Sequence, residues 1–293
     1  MNFLVNAAFH DGNSGLIRPE TEDERQSFKL EELKQQFNLE TITQSNQYDP
    51  RDIKLLANSD LGLTLFLESN DWKVNSALES LKLHCSWRRE NGILDLTIDS
   101  IPREIHSTKL FMSNGLFDNS GHPLFFIQLS VNPGPKELHP LVIQHFLWSC
   151  ETIRNSVIKC GKRLAIIFDC RGAQVDITLL KEILDIYTRK YPPSAEYIAF
   201  LDMSFGFKMI LQVIKYFFPK YLWKKMIFID RPTLYSMVNP ENRPDYLDGL
   251  VSPSTDDRLT SCPSLADYVK SHSIDEKVYE KMKNHLTRYS TIY

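Results

Sequence analysis

The sequence predicts an α/β fold, with a largely parallel or mixed sheet preceded by a small all-helical unit. Three observations predict it. Between residues 109 and 229, short runs rich in Phe, Ile, Val and Leu alternate with longer helical stretches. Two of those runs, Leu124–Leu129 and Leu164–Phe168, are apolar almost throughout, as in strands buried on both faces. Residues 47–100 instead carry helix starts and helical spacing.

In chain order, residues 1–46 are read as an N-terminal extension. Residues 20–37 there suit a polar helix with a thin apolar stripe of Phe28, Leu30, Leu33 and Phe37. Residues 47–100 form the helical N-lobe. Its first helix starts at Asp49-Pro50-Arg51-Asp52: Asp49 suits the N-cap, Pro50 suits N1, and Asp52 suits the positive end of the helix dipole. A second helix holds Leu61 to Leu67. A third runs from Val74 to Glu90 on Val74, Ala77, Leu78, Leu81, Cys85 and Trp87, and Asn91-Gly92 stops it. Residues 101–251 form the main α/β domain. Strands are expected at Lys109–Phe117, Leu124–Val131, Arg163–Phe168, Tyr197–Leu201 and Met226–Ile229. Helices are expected at 139–158, 176–190 and 206–218. Residues 252–293 are a polar linker, 252–264, followed by a helical tail over 265–289 with a capping box at Ser273 and Glu276.

Composition excludes several functions. The 293 residues carry 34 basic and 37 acidic side chains, a net charge of −3 that argues against a nucleic-acid partner. The five cysteines lack zinc spacing and fit reduced thiols of a cytoplasmic protein. The first residues lack the positive region of a signal peptide, and no apolar stretch reaches 18 residues. Nucleophile-elbow, phosphate-loop, dinucleotide and zinc-protease motifs are all missing, so no catalytic residue, metal or cofactor is assigned. Asp169 ends a strand, where α/β enzymes place acids, but it has no assignable partner and reads as a turn cap.

Residues 203–229 stand out. They contain no acidic residue and five lysines, Lys208, Lys215, Lys220, Lys224 and Lys225, interleaved with aromatic and aliphatic residues. A basic amphipathic helix of this kind lies well at an anionic membrane surface. A core helix with solvated lysines at its edge has the same periodicity.

Three blocks resemble the CRAL-TRIO family of lipid-binding and lipid-transfer proteins: LTLFLESNDWKVNSALESLKLHCSWRR (63–89), DNSGHPLFFIQL (118–129), and the stretch from LAIIFDCRG (164–172) through YPPSAEYIAFLDMSFGF (191–207) to VNPENRPDYLDG (238–249). Within the family, YDPRD, SWRR and Ser100-Ile101-Pro102 are most similar to the lipid domain of motile sperm domain-containing proteins. The major-sperm-protein domain and membrane anchor of those proteins are not found here, so their tethering is not implied.

The resemblance implies a mixed sheet flooring an apolar cavity, closed by a movable gate helix at 206–225. It places Asn114, Phe125, Ile127, Leu164, Ile166, Phe168 and Phe200 toward the ligand from the sheet side. Ile210, Leu211, Ile214 and Phe218 would cover the ligand from the gate, with the five lysines meeting anionic lipid. The family's inositol-phosphate positions match Leu65, Pro193, Leu222 and Lys225, of which the lysine alone is retained, so that headgroup is disfavoured. The phosphocholine positions match Asn114, Phe125, Leu164 and Ile166, which carry no hydroxyl. The expected function is non-enzymatic binding, with transfer or sensing, of a hydrophobic lipid by a cytoplasmic, peripherally membrane-associated protein. A fatty acid, sterol, retinoid, tocopherol or diacyl lipid all remain open. The rival reading is a protein-interaction module that keeps the fold without exchanging lipid.

Overall fold

The computed structural model describes residues 21–113, 115–214, 220–252 and 256–289. Four helices build the helical lobe: α1 (Glu22–Thr43), α2 (Pro50–Ala57), α3 (Asp60–Ser69) and α4 (Val74–Glu90). Asp49 caps α2 as its position before Pro50 dictates, accepting from the Arg51 N–H. Thr21 and Glu24 form a capping box on α1. The lobe's core joins Leu33 and Phe37 of α1 to Leu56 of α2, Leu63 and Leu67 of α3, and Ala77, Leu81 and Cys85 of α4. The α1 stripe is narrower than the sequence suggested: Leu33 and Phe37 are buried, whereas Phe28 is exposed.

The second lobe opens with α5 (Arg103–His106) and holds one five-stranded sheet in the order β1 (Phe111–Met112), β2 (Leu124–Gln128), β3 (Leu164–Asp169), β4 (Ala195–Leu201) and β5 (Met226–Ile229). The β1–β2 pair is antiparallel and the others are parallel. The crossovers are α6 (His139–Cys160), α7 (Ile177–Lys190), and α8 (Phe205–Ile214) with α9 (Lys220–Trp223). All four contribute to a core on one face of the sheet, with Phe125, Ile166, Ile198 and Phe200. The other face, with Leu124, Phe126, Ala165 and Ile167, is covered by α10 (Arg231–Met237) and the segment that follows it. That segment turns tightly at Gly249, where a Cβ would lie 2.0 Å from the Arg243 carbonyl oxygen. Strands β2 and β3 are buried on both faces, which explains their unbroken apolar sequence.

Three expectations are corrected. The run Lys109–Phe117 forms only the two-residue β1, because Lys109 and Gly115 adopt positive φ (62° and 68°) and interrupt the extended backbone. The helical tail is two helices, α11 (Leu265–Ser271) and α12 (Glu276–Leu286). The capping box belongs to Ser264 and Asp267 on α11, while Asp275 caps α12 and Ser273 sits at φ 52°. The end of the expected linker, 256–264, is also less independent than its polarity implies. The Arg103 N–H donates to the Pro263 carbonyl, the Leu265 N–H to Glu104, and Cys262 is buried. Of the helix expected at 206–218, residues 205–214 are helical and 215–219 lie outside the described residues.

A buried ionic network joins the lobes. Arg88 of α4 is fully buried. Its Nε donates to Asp52 Oδ2 of α2 at 2.7 Å, and its Nη2 donates to Glu151 Oε2 of α6 at 2.6 Å. Its Nη1 donates to Glu151 Oε1, which also accepts from the Tyr191 hydroxyl at 2.7 Å. Asp52, in the first turn of α2 as expected, is thus also a buried ion-pair partner. Removing one partner of such a network leaves a buried charge unpaired. Arg88→Met is expected to lower the free energy of unfolding by about 3–5 kcal/mol, read as a shifted urea midpoint; an unchanged midpoint would show that the network contributes nothing to stability.

Candidate functional site

Residues in register on parallel strands stand side by side on one face. Phe125, Ile166, Ile198 and Met226 form one row, and Ile127, Phe168, Phe200 and Phe228 the next. The Phe168 and Phe200 rings stack at 5.2 Å, and Phe200 lies 5.8 Å from Phe228. The rows floor a cavity of about 120 Å³. Its other walls are Val142 and Phe146 of α6, Leu179, Ile183 and Tyr187 of α7, and Phe207 and Leu211 of α8; Gln174 and Asp176 supply polar side chains at one side.

Of the residues expected at the ligand, Phe125, Ile127, Ile166, Phe168, Phe200 and Leu211 line this one cavity. Leu164 lines a second, smaller cavity of about 40 Å³, against the helical lobe. Ile210 and Ile214 lie in α8. Asn114, Phe218 and Lys215 fall outside the described residues. Lys220 opens α9. Lys208 and Lys224 are exposed and Lys225 is half-buried. Lys208 borders an open groove on the outer side of α8, with Phe200, Met203, Leu211 and Phe228. Phe200 and Leu211 face both hollows, so α8 is the partition between the cavity and the groove. Met209 and Phe228 are exposed beside it.

The α7 wall escaped the sequence reading. Its signal was present: Leu179, Leu180, Ile183, Leu184 and Tyr187 repeat at three and four residues. Phe111, expected as part of a longer strand, also lines the cavity.

Asp169 is buried, and its carboxylate accepts from Arg171 Nε at 2.9 Å and Nη2 at 2.7 Å. It caps the turn after β3 and does not line the cavity. Among the described residues no three His, Cys, Asp or Glu side chains are grouped to hold a metal, and no helix is long and apolar enough to cross a membrane.

Residues 106–249 match the CRAL/TRIO domain. The matched span starts at the end of α5 and contains the whole sheet and every wall of the main cavity. The crystal structure of Sfh5 has the same fold, with a TM-score of 0.57 at 13% identity, covering 92% of this chain and 100% of that one. The likeness of fold thus extends beyond residues 106–249 into the helical lobe.

Behind Phe111, the sheet lobe holds an aromatic cluster. The His145 ring lies 5.4 Å from Phe111, 4.8 Å from His106 and 6.0 Å from Trp148. Burial, and next the charge of His106, hold the His145 pKa well below the ordinary histidine value. His84, on the helical lobe, is depressed by burial and then by Arg154 and Arg88. Burial also lowers His106, against the opposing pull of the Ile98 carbonyl, which accepts from its ring, and of nearby Asp256 and Asp99. A buried neutral histidine binds a proton less readily folded than unfolded. The unfolded chain takes up the extra protons as pH falls through about 6.5, so stability falls with it. Urea midpoints should therefore drop between about pH 7 and pH 5, by up to roughly 1.4 kcal/mol per pH unit for each such histidine. His145→Asn should flatten that slope, and an unchanged slope would mean that His145 titrates normally in the fold.

Proposed function

We propose that the chain binds a small hydrophobic lipid in the sheet-floored cavity and transfers or senses it without catalysis. The observation that carries this reading is the wall itself: sheet, α6, α7 and α8 all present apolar side chains to one interior space. A core element has no need of such a hollow, because each void forfeits packing contacts. At about 120 Å³, the space is close to a cavity that holds a benzene-sized molecule. A whole lipid enters only as α7 and α8 move apart from the sheet. The small volume also favours a second reading, a protein-interaction module that keeps the fold without exchanging lipid.

Membrane contact belongs to the same reading. Lys208 and Lys224 are exposed, as are Met209 and Phe228, on a stretch without acidic residues, and Lys208 shares a groove with Phe228. Apolar tips flanked by cations suit transient docking on an anionic surface, by a cytoplasmic protein that attaches peripherally. Kinship with the lipid domain of motile sperm domain-containing proteins rests on YDPRD, SWRR and Ser100-Ile101-Pro102. Two of those blocks supply the buried Asp52–Arg88 pair.

Denaturing extraction of the purified chain, followed by lipid mass spectrometry, tests the binding. A hydrophobic lipid near one per chain is expected. Phe125→Asp should lose it while the chain stays folded by circular dichroism; a variant that keeps its load would remove Phe125 from the site. An empty wild-type chain with a specific protein partner would favour the second reading.

Changing Lys208, Lys224 and Lys225 together to Glu should nearly abolish co-sedimentation with anionic vesicles, since each lysine near such a surface is worth on the order of 1 kcal/mol. Wild-type binding should weaken as salt rises. Equal binding by both proteins would place the membrane contact elsewhere.

A further inference from the structure

The small cavity of about 40 Å³ lies where the helical lobe meets the sheet lobe, lined by Leu65, Phe66, Leu164, Tyr191, Ser194 and Arg154 among others. Phe125 and Tyr187 line both this cavity and the main one, so they stand between the two.

Arg154 of α6 is the cation on this wall. Its side chain is 9% exposed. Nη2 stands 3.2 Å from Asp52 Oδ1 without hydrogen-bond geometry, and Nη1 is buried with no acceptor. The neighbouring carboxylates do not meet this need. Glu151 is engaged by Arg88 and Tyr191, Asp52 Oδ2 by Arg88, and the remaining oxygen, Asp52 Oδ1, stands against Nη2 and leaves Nη1 unmet. Buried donors left without an acceptor cost far more than surface ones, and native structures rarely leave them so. Burial, followed by repulsion from Arg88, pulls the Arg154 pKa below its ordinary value, as expected of a guanidinium short of partners.

The charges say what kind of acceptor is missing. Arg88 and Arg154 already balance Asp52 and Glu151. An added carboxylate or phosphate would leave the network with a buried negative charge. The volume says how large the acceptor is: a water takes about 30 Å³ of liquid, so the space admits a group of one or two heavy atoms.

We propose that Arg154 Nη1 donates to a compact, uncharged oxygen, a hydroxyl or carbonyl, at the end of a lipid whose chain occupies the main cavity. This rests on the lipid binding proposed above and narrows the ligand to an alcohol, aldehyde or ester, not a phosphorylated lipid.

The full chain would be equilibrated with phosphatidylcholine vesicles carrying equal amounts of hexadecanol, palmitic acid and hexadecane, re-isolated and extracted. Hexadecanol should be enriched over hexadecane by about tenfold or more relative to the vesicles, the scale of one hydrogen bond to a charged group. It should also exceed palmitate at neutral pH. The charge-balanced variant Asp52→Asn/Arg154→Met should lose the enrichment over hexadecane while still loading chains, which a merely structural role for Arg154 would not do. Equal enrichment of hexadecanol and hexadecane by the wild type overturns the proposal even if the variant fails to fold. So does a variant that keeps the preference, or palmitate as the preferred load. A wild-type chain that carries none of the three overturns the lipid reading itself, and this one with it.

Discussion

Arg88 is a fully buried cation held between two carboxylates from different parts of the chain, Asp52 of α2 and Glu151 of α6. A buried charge tolerates little displacement, because every ångström away from its partners is taken in a low-dielectric interior. The helical lobe is thereby set in place against α6, and α6 is one wall of the main cavity. The Tyr191 hydroxyl on Glu151 extends the same constraint to the residue just past α7, another wall. The α6 wall of the cavity is tied by ionic geometry, and the α8 wall shows no such tie among its described residues.

The sheet supplies the other constraint. Four parallel strands in register turn a period-two sequence into continuous rows, so one choice of register decides which side chains face the interior. Ile127, Phe168, Phe200 and Phe228 illustrate it: three lie in the cavity and the fourth, on the edge strand, is exposed. The apolar face is wider than the helices that cover it, and α8 divides what is enclosed from what is open.

Much of the fold was legible because local chemistry wrote it. Asp49-Pro50 announces α2, Val74 to Glu90 is helical at both bounds, and the doubly buried strands are apolar without alternation. The sheet-side cavity residues followed from alternation combined with the family resemblance. What was not legible depended on distant partners. Lys109 breaks β1 with a positive φ while its ammonium meets Asp245, 136 residues away. Asp52, Glu151 and Arg154 look in sequence like ordinary solvated charges on helices. Nothing local distinguishes them, since their burial arises only when α2, α4 and α6 meet. The Ser273–Glu276 pattern satisfied the capping-box spacing, yet Asp275 stood closer to the helix start and took the role.

The modest size of the main cavity has a consequence for the unloaded chain. A void of about 120 Å³ forfeits about 3 kcal/mol at the usual cavity cost of about 24 cal/mol per Å³, a fraction of what a folded domain of this size commands. The closed, unloaded form is therefore a stable species and not a collapsed remnant awaiting a ligand. On the carrier reading proposed above, that makes a return journey possible: the protein can leave one membrane empty and reach the next still folded.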